Sequence, residues 1–156
     1  MKKYSLPIQE IRKFSESIET LKNNFRSTRN LTNNPHFYGK VGEFIFKQEF
    51  GLDPDMSINI QGDSQDFIYK GKKIDIKTTT YWKDPFLREF SNPRKVPDIY
   101  VLVAVQTINE NNGDVFGEIV GWCYSEELLS TPLKDLGNVG KRHILNRDEL
   151  RNIKDL

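Results

Sequence analysis

Cysteine is almost absent from this chain: Cys123 is the single one in 156 residues. One thiol can form neither an internal disulfide nor a thiolate zinc site. Its apolar setting, Gly121-Trp122-Cys123-Tyr124, reads as a buried core thiol. A cysteine nucleophile would need a histidine close by, and His36 and His143 are the two available. Both read more readily as surface or satisfied core histidines than as ligands. Long apolar runs are missing as well. No stretch approaches the roughly 20 residues that cross a bilayer, and the leading MKKYSLPIQE lacks the apolar core of a signal peptide, so a cytoplasmic protein is expected. Net charge is scarce too, at +1. The balance hides an uneven spread, however: residues 1–30 and 66–95 each sum to +4, whereas 31–65 and 96–156 sum to −3 and −4. A polyanion would meet particular segments rather than a uniformly basic surface.

What the chain does have is the composition of a folded protein, with 37% apolar, 12% aromatic and 29% charged residues. Its length suits one domain over residues 1–156. Ile8, Ile11, Phe14, Ile18, Leu21 and Phe25 recur at helical spacing, which predicts an N-terminal helix over residues 8–26. Ser27 to Pro35 reads as a loop closed by the proline, and Phe37 to Phe50 as a second helix capped by Gly51. A short strand is expected within Met56–Gly62. Residues 81–97 contain three prolines and read as an irregular basic loop. Ile99–Val105 is a continuous apolar run, as in a central strand covered on both faces. A turn at Asn111–Asp114 leads to a strand over Val115–Trp122, and Ser125 is expected to cap a short helix through Leu129. His143–Leu145 reads as a last strand, and Asn146 with Glu149 as the start of a terminal helix. Strands and helices thus fill residues 107–156, and no internal repeat is visible.

The sharpest local signal is a hairpin. Asp66–Tyr69 and Lys73–Thr79 flank Lys70-Gly71, where glycine can take a positive φ. With those two residues at the tip, Tyr69 faces Lys72, Phe67 faces Ile74, and Asp66 faces Asp75. Side chains directly opposed across such a ladder lie about 4.5–5.5 Å apart, where like charges repel, so a positive group is expected between the two carboxylates. Lys77 projects from the same face as Asp75, while Ile74 and Ile76 take the other. Carboxylate oxygens able to hold Mg2+, beside a cation able to stabilise charge developing on phosphorus, are what phosphodiester chemistry needs.

The order Gly39-Lys40-Val41-Gly42-Glu43 on a helix, then Gly62-Asp63-Ser64-Gln65-Asp66-Phe67, then Ile74-Asp75-Ile76-Lys77-Thr78-Thr79 resembles the PD-(D/E)XK nucleases, particularly small phage and bacterial members. The resemblance covers roughly residues 37–106. It implies an α/β (α+β) fold of restriction-endonuclease-like type, an αβββαβ core whose central mixed sheet is flanked by helices. It also implies a Mg2+-dependent endonuclease cutting DNA through a metal-activated water, with Mn2+ able to substitute. In that reading Asp66, Asp75 and Glu43 hold the metal and Lys77 activates water or stabilises the transition state. Gln65 stands where the family pattern has proline. Asp63 is a rival for the first carboxylate, though it falls off the parity of Asp66, and Gln106 matches a glutamine that some members place near the metal.

Lys73, Lys83, Arg88, Arg94 and Lys95, with Trp82, are candidate contacts to nucleic acid. Gly39 and Gly42 weaken their helix, which gives a motive for close approach to another backbone or a phosphate. A two-fold dimer would suit cutting two antiparallel strands. Against the enzyme stand a solvated strand face carrying an ordinary ion pair, and a catalytically silent nuclease-fold module that binds nucleic acid or a partner protein.

Overall fold

The structure, a computed structural model, describes residues 1–21, 35–52 and 66–156. The expected loop at Ser27–Asn34, the strand within Met56–Gly62, and Asp63 and Gln65 lie outside the described residues. The elements run β1 (Lys2–Ser5), α1 (Ile8–Leu21), α2 (Pro35–Glu49), β2 (Phe67–Tyr69), β3 (Lys72–Thr79), β4 (Phe86–Phe90), β5 (Ile99–Asn109), β6 (Asp114–Tyr124), α3 (Ser125–Leu129), β7 (Lys134–Asp135) and β8 (Lys141–Asn146). The fold is mixed α/β. Among the described residues, one sheet has the order β1-β6-β5-β3-β2 and a smaller one the order β4-β8-β7. The larger sheet is mixed: β3 and β5 are parallel, and its other pairs are antiparallel. The connection between β3 and β5 carries β4, a strand of the other sheet.

The apolar run of β5 explains the layering. From Ile99 to Val105 every residue is buried, so this strand has a core on each face. Ile99, Val101, Val103 and Val105 join Ile74 and Ile76 of β3, Ile11 of α1, and Phe37, Val41, Phe44 and Ile45 of α2. On the opposite face Tyr100 and Leu102 join Leu87 of β4, Leu145 of β8, Leu128 of α3 and Cys123. Helices α1 and α2 therefore cover one side of the central strand, and the small sheet with α3 covers the other. Each fully buried Ile or Leu contributes about 1.5–3 kcal/mol relative to leaving it in water. Cys123 is the buried thiol expected, with burial pushing its pKa up to about 12.

The hairpin forms in the expected register, with Phe67 opposite Ile74, Ile68 opposite Lys73 and Tyr69 opposite Lys72. Lys70 and Gly71 both take positive φ, 47° and 75°, the backbone of a two-residue turn whose twist matches its strands.

Several expectations need correction. Residues 81–97 are not an irregular loop, because Phe86–Phe90 pairs in full with β8, Leu87 opposite Leu145 and Glu89 opposite His143. Its partner lies far along the chain, so no hairpin signal marked it, and its prolines bracket the strand rather than interrupt it. Pro35 opens α2 instead of closing the loop before it; a first-turn proline gives up no helical hydrogen bond. Ser125 is the first residue of α3 and not its cap. Its buried Oγ donates to the Pro97 carbonyl at 2.6 Å, while the Glu127 carboxylate accepts from the Tyr124 N–H at 2.8 Å. Asn146 and Glu149 do form a cap, with the Asn146 N–H donating to Glu149 Oε2 at 2.8 Å, but only a single 3-10 turn follows, Arg147–Glu149.

Helix α2 lies on β3 at Gly42. A Cβ there would stand 1.8 Å from Thr78 Oγ1 and 3.1 Å from Thr78 Cβ, so only glycine permits this approach. Gly39 has open space instead. Gly42→Ala should therefore destabilise the fold by about 1–3 kcal/mol, the usual cost of overpacking. Thr78→Ala in the same background should recover most of that loss; equal destabilisation in the single and double variants, measured by urea unfolding, would place the contact elsewhere.

Candidate active site at the open edge of β3

Strand β2 is short, and where it ends the β3 edge is left unpaired among the described residues. Asp66 closes it. The regular ladder stops at Phe67 opposite Ile74, so the expected Asp66–Asp75 pair is not formed: the Asp66 N–H turns back to the Ile74 carbonyl at 2.8 Å, and its carboxylate Oδ2 accepts a short hydrogen bond from the Ile76 N–H. Asp75 and Lys77 project from β3 toward the small sheet, since Ile74 and Ile76 are committed to the helical face. Glu43 arrives from α2, one residue after the glycine that brings that helix against Thr78. Carboxylates from α2, from β3 and from the residue preceding β2 thus lie along one strand edge, each within electrostatic reach of another.

Burial and neighbouring charge perturb all three. Burial pushes the Asp66 pKa well above its ordinary value, and the neighbouring Glu43 and Asp75 charges raise it further against the pull of the Ile76 amide and Lys77. Burial likewise raises Asp75, with Lys77 opposing and Glu89 adding. Glu43 is raised by burial despite Lys40 and Lys47, and Asp75 adds to the rise. The Asp75 charge does raise the Asp66 pKa, but it ranks behind loss of water and the Glu43 charge.

Lys77 does not sit between those two aspartates as expected. Its Nζ lies 2.9 Å from Asp75 Oδ2 and 3.1 Å from Glu89 Oε2, and 5.6 Å from the centre of the Tyr100 ring. The Asp75 contact falls outside hydrogen-bond geometry, so that buried oxygen is held by charge alone. Burial pulls the Lys77 pKa down, yet Asp75 and Glu89 more than offset this and leave it raised. Lys77 is an ammonium at neutral pH. The Tyr100 hydroxyl stands beside Glu89, and burial followed by that charge pushes its pKa up.

Glu89 is the residue that the sequence did not reveal. It is 5% exposed, it belongs to β4, and the Leu87-Glu89 parity points it inward with the core leucine. An acid at an inward position of an alternating strand was the available signal, hidden because the segment read as a loop. Of the proposed nucleic-acid contacts, Arg88 lines a cleft of about 590 Å³ together with Lys77, Glu89, Phe90 and Arg142. Lys73, Lys83, Arg94 and Lys95 are surface residues outside that lining. Gln106 is exposed, at a break in the β5–β6 register; it lies four residues past Leu102, the partner of Lys77, and so about 13 Å farther along the strand.

No protein-family model, curated protein or solved structure matches this chain. The site has to be judged on its own chemistry. Its donor set is all oxygen, which suits a hard divalent cation such as Mg2+ or Mn2+. Buried carboxylates that resist ionisation are the groups such a charge would relieve. Even so, no three His, Cys, Asp or Glu side chains among the described residues converge as a ready-made metal cage. The reason is visible: one oxygen of each carboxylate is engaged by the protein, Asp66 by the Ile76 amide, Asp75 by Lys77, and Glu43 by Lys40 at 2.9 Å. The donors fit a cation in kind, and their rotamers would have to turn to enclose one.

Because the folded state raises the Asp66 pKa above its unfolded value, the native protein binds the extra proton. Stability contributed by this group is therefore lost as pH rises through the folded pKa. Asp66→Asn keeps an acceptor for the Ile76 amide and removes the charge. In EDTA it should melt at a higher temperature than wild type at pH 7, with the gap shrinking as pH falls toward the ordinary aspartate value of 3.8. A lower melting point at pH 7 would show that the Asp66 charge stabilises the fold.

Proposed function

We propose that this protein is a divalent-cation-dependent nuclease hydrolysing phosphodiester bonds in DNA, with Glu43, Asp66, Asp75 and Lys77 as its working residues. The observation that carries the reading is the gathering of three half-buried carboxylates with raised pKa values around the β3 edge, beside an ammonium that stays charged. That combination is costly to fold around, and perturbed titratable groups of this kind concentrate at functional sites. The order of these residues along the chain is that of the PD-(D/E)XK pattern, and α2 on one face of a mixed sheet supports the reading; the helix that an αβββαβ core would carry between β3 and β5 is replaced by strand β4 of the second sheet, so the likeness in fold is partial.

Asp66, Asp75 and Glu43 would hold the cation. Mg2+ or Mn2+, when bound, polarises a phosphoryl oxygen and makes water more acidic. The chain itself supplies the rest. Lys77, protonated and anchored between Asp75 and Glu89, is suited to stabilising negative charge that develops on phosphorus rather than to accepting a proton from water. Glu89 and the Tyr100 ring fix where that ammonium points. The commitment of each carboxylate to an internal partner supports a second reading, a module of the same fold that binds nucleic acid without cutting it.

The test is incubation with supercoiled and single-stranded DNA in Mg2+, Mn2+ and EDTA. Cleavage should require the metal, and Lys77→Ala should slow it about 10²–10³-fold, as loss of one charge-stabilising donor does elsewhere. Absence of both cleavage and calorimetric Mg2+ binding would favour the silent module. Glu89→Gln removes one of the two anions that raise the Lys77 pKa. The alkaline limb of its rate–pH profile should move to lower pH, because Lys77 then loses its proton sooner; an unmoved limb would detach Lys77 from the rate.

A further inference from the structure

The cleft beside Lys77 has a wall of exposed cationic and aromatic side chains. Register in the small sheet sets Phe90 of β4 opposite Arg142 of β8, and the Arg142 guanidinium carbon lies 4.2 Å from the centre of the Phe90 ring. The pair forms a flat cationic and aromatic platform, yet Phe90 remains 58% exposed. Tyr81, also 58% exposed, lines the same cleft and meets Phe86 edge to face with ring centres 6.3 Å apart. Two exposed rings in the lining of one cleft are clustered apolar surface of the kind that marks a binding site. Arg88, Arg142 and Lys77 bring three positive charges to the lining, and the negative charge of Glu89 is turned onto Lys77.

We infer that this cleft binds an unpaired strand of nucleic acid, with bases stacking on the Phe90–Arg142 platform and on Tyr81 while Arg88 and Arg142 take the phosphates. The inference rests on the nuclease reading for the direction of the strand toward Lys77, but binding itself does not need catalysis. Charge complementarity selects a polyanion. The bare aromatic faces then select a single strand over a duplex, because paired and stacked bases have no free face to offer. The volume, about 590 Å³, is on the scale of pockets of about 300–1,000 Å³ that enclose one small molecule, which suits roughly one or two nucleotide residues and not a double helix. An arginine already stacked on a ring is also a sequence-tolerant surface, since every base has a π face.

The experiment is fluorescence anisotropy in EDTA at low salt, using labelled oligo-dT, oligo-rU, an abasic strand and a duplex of equal length. The proteins are wild type, Phe90→Ala and Arg142→Gln, with melting curves to confirm that each variant is folded. Oligo-dT or oligo-rU should bind at least about tenfold tighter than the duplex. Phe90→Ala should weaken that binding about five- to a hundredfold, the loss of one stacked base, and leave the abasic strand unaffected. Equal affinity for duplex and single strand, or a folded Phe90→Ala that binds like wild type, overturns the proposal. Single-strand binding by a protein that never cleaves DNA would remove the nuclease reading and leave the cleft standing; cleavage untouched by Phe90→Ala would do the reverse.

Discussion

Strand β5 is apolar on both sides from Ile99 to Val105, and such a strand needs two covers. The helices provide one and the small β4-β8-β7 sheet the other. Because β3 pairs with β5 in parallel, its own two faces are drawn into the same two layers: Asp75 stands beside Tyr100, and Lys77 beside Leu102. Charges that an exposed strand would leave in water are thereby brought under the small sheet. There Asp75 and Lys77 meet Glu89, and partial burial makes each interaction among them count for more than it would at a surface.

That placement explains the character of the site. Loss of water is the largest cause of the raised pKa at Asp66, Asp75 and Glu43 alike, ahead of any single neighbouring charge. The chain answers with internal partners, a backbone amide for Asp66 and lysines for the other two, so each carboxylate is partly compensated within the fold. Lys77 has the opposite balance: two anions outweigh its burial, and its charge is kept.

The small sheet does two jobs at once. Its inward parity, Leu87 and Glu89, seals the core and steers Lys77; its exposed side chains, Arg88 and Phe90 with the facing Arg142, make a cationic and aromatic surface next to the site. One five-residue strand of alternating pattern therefore ties the packing of β5 to the chemistry at β3.

The hairpin turn and its register as far as Phe67 and Ile74, the amphipathic first helix, the second helix, the doubly covered β5 and the buried cysteine were all legible in the chain. Each of these is written in neighbouring residues, as a turn dipeptide, a period or an apolar run, and the same local rules fixed which face carries Asp75 and Lys77. That residues 86–90 form a strand, that Glu89 faces Lys77 and that Arg142 lies on Phe90 came instead from the packing of the folded chain. Those contacts join segments roughly fifty residues apart, or cross from one sheet to another, and no local pattern records a partner that distant. The position of Glu43 falls between the two. Its helix was legible, but its approach to the aspartates depends on Gly42 meeting Thr78, a fit of shapes that exists only once α2 has packed on β3.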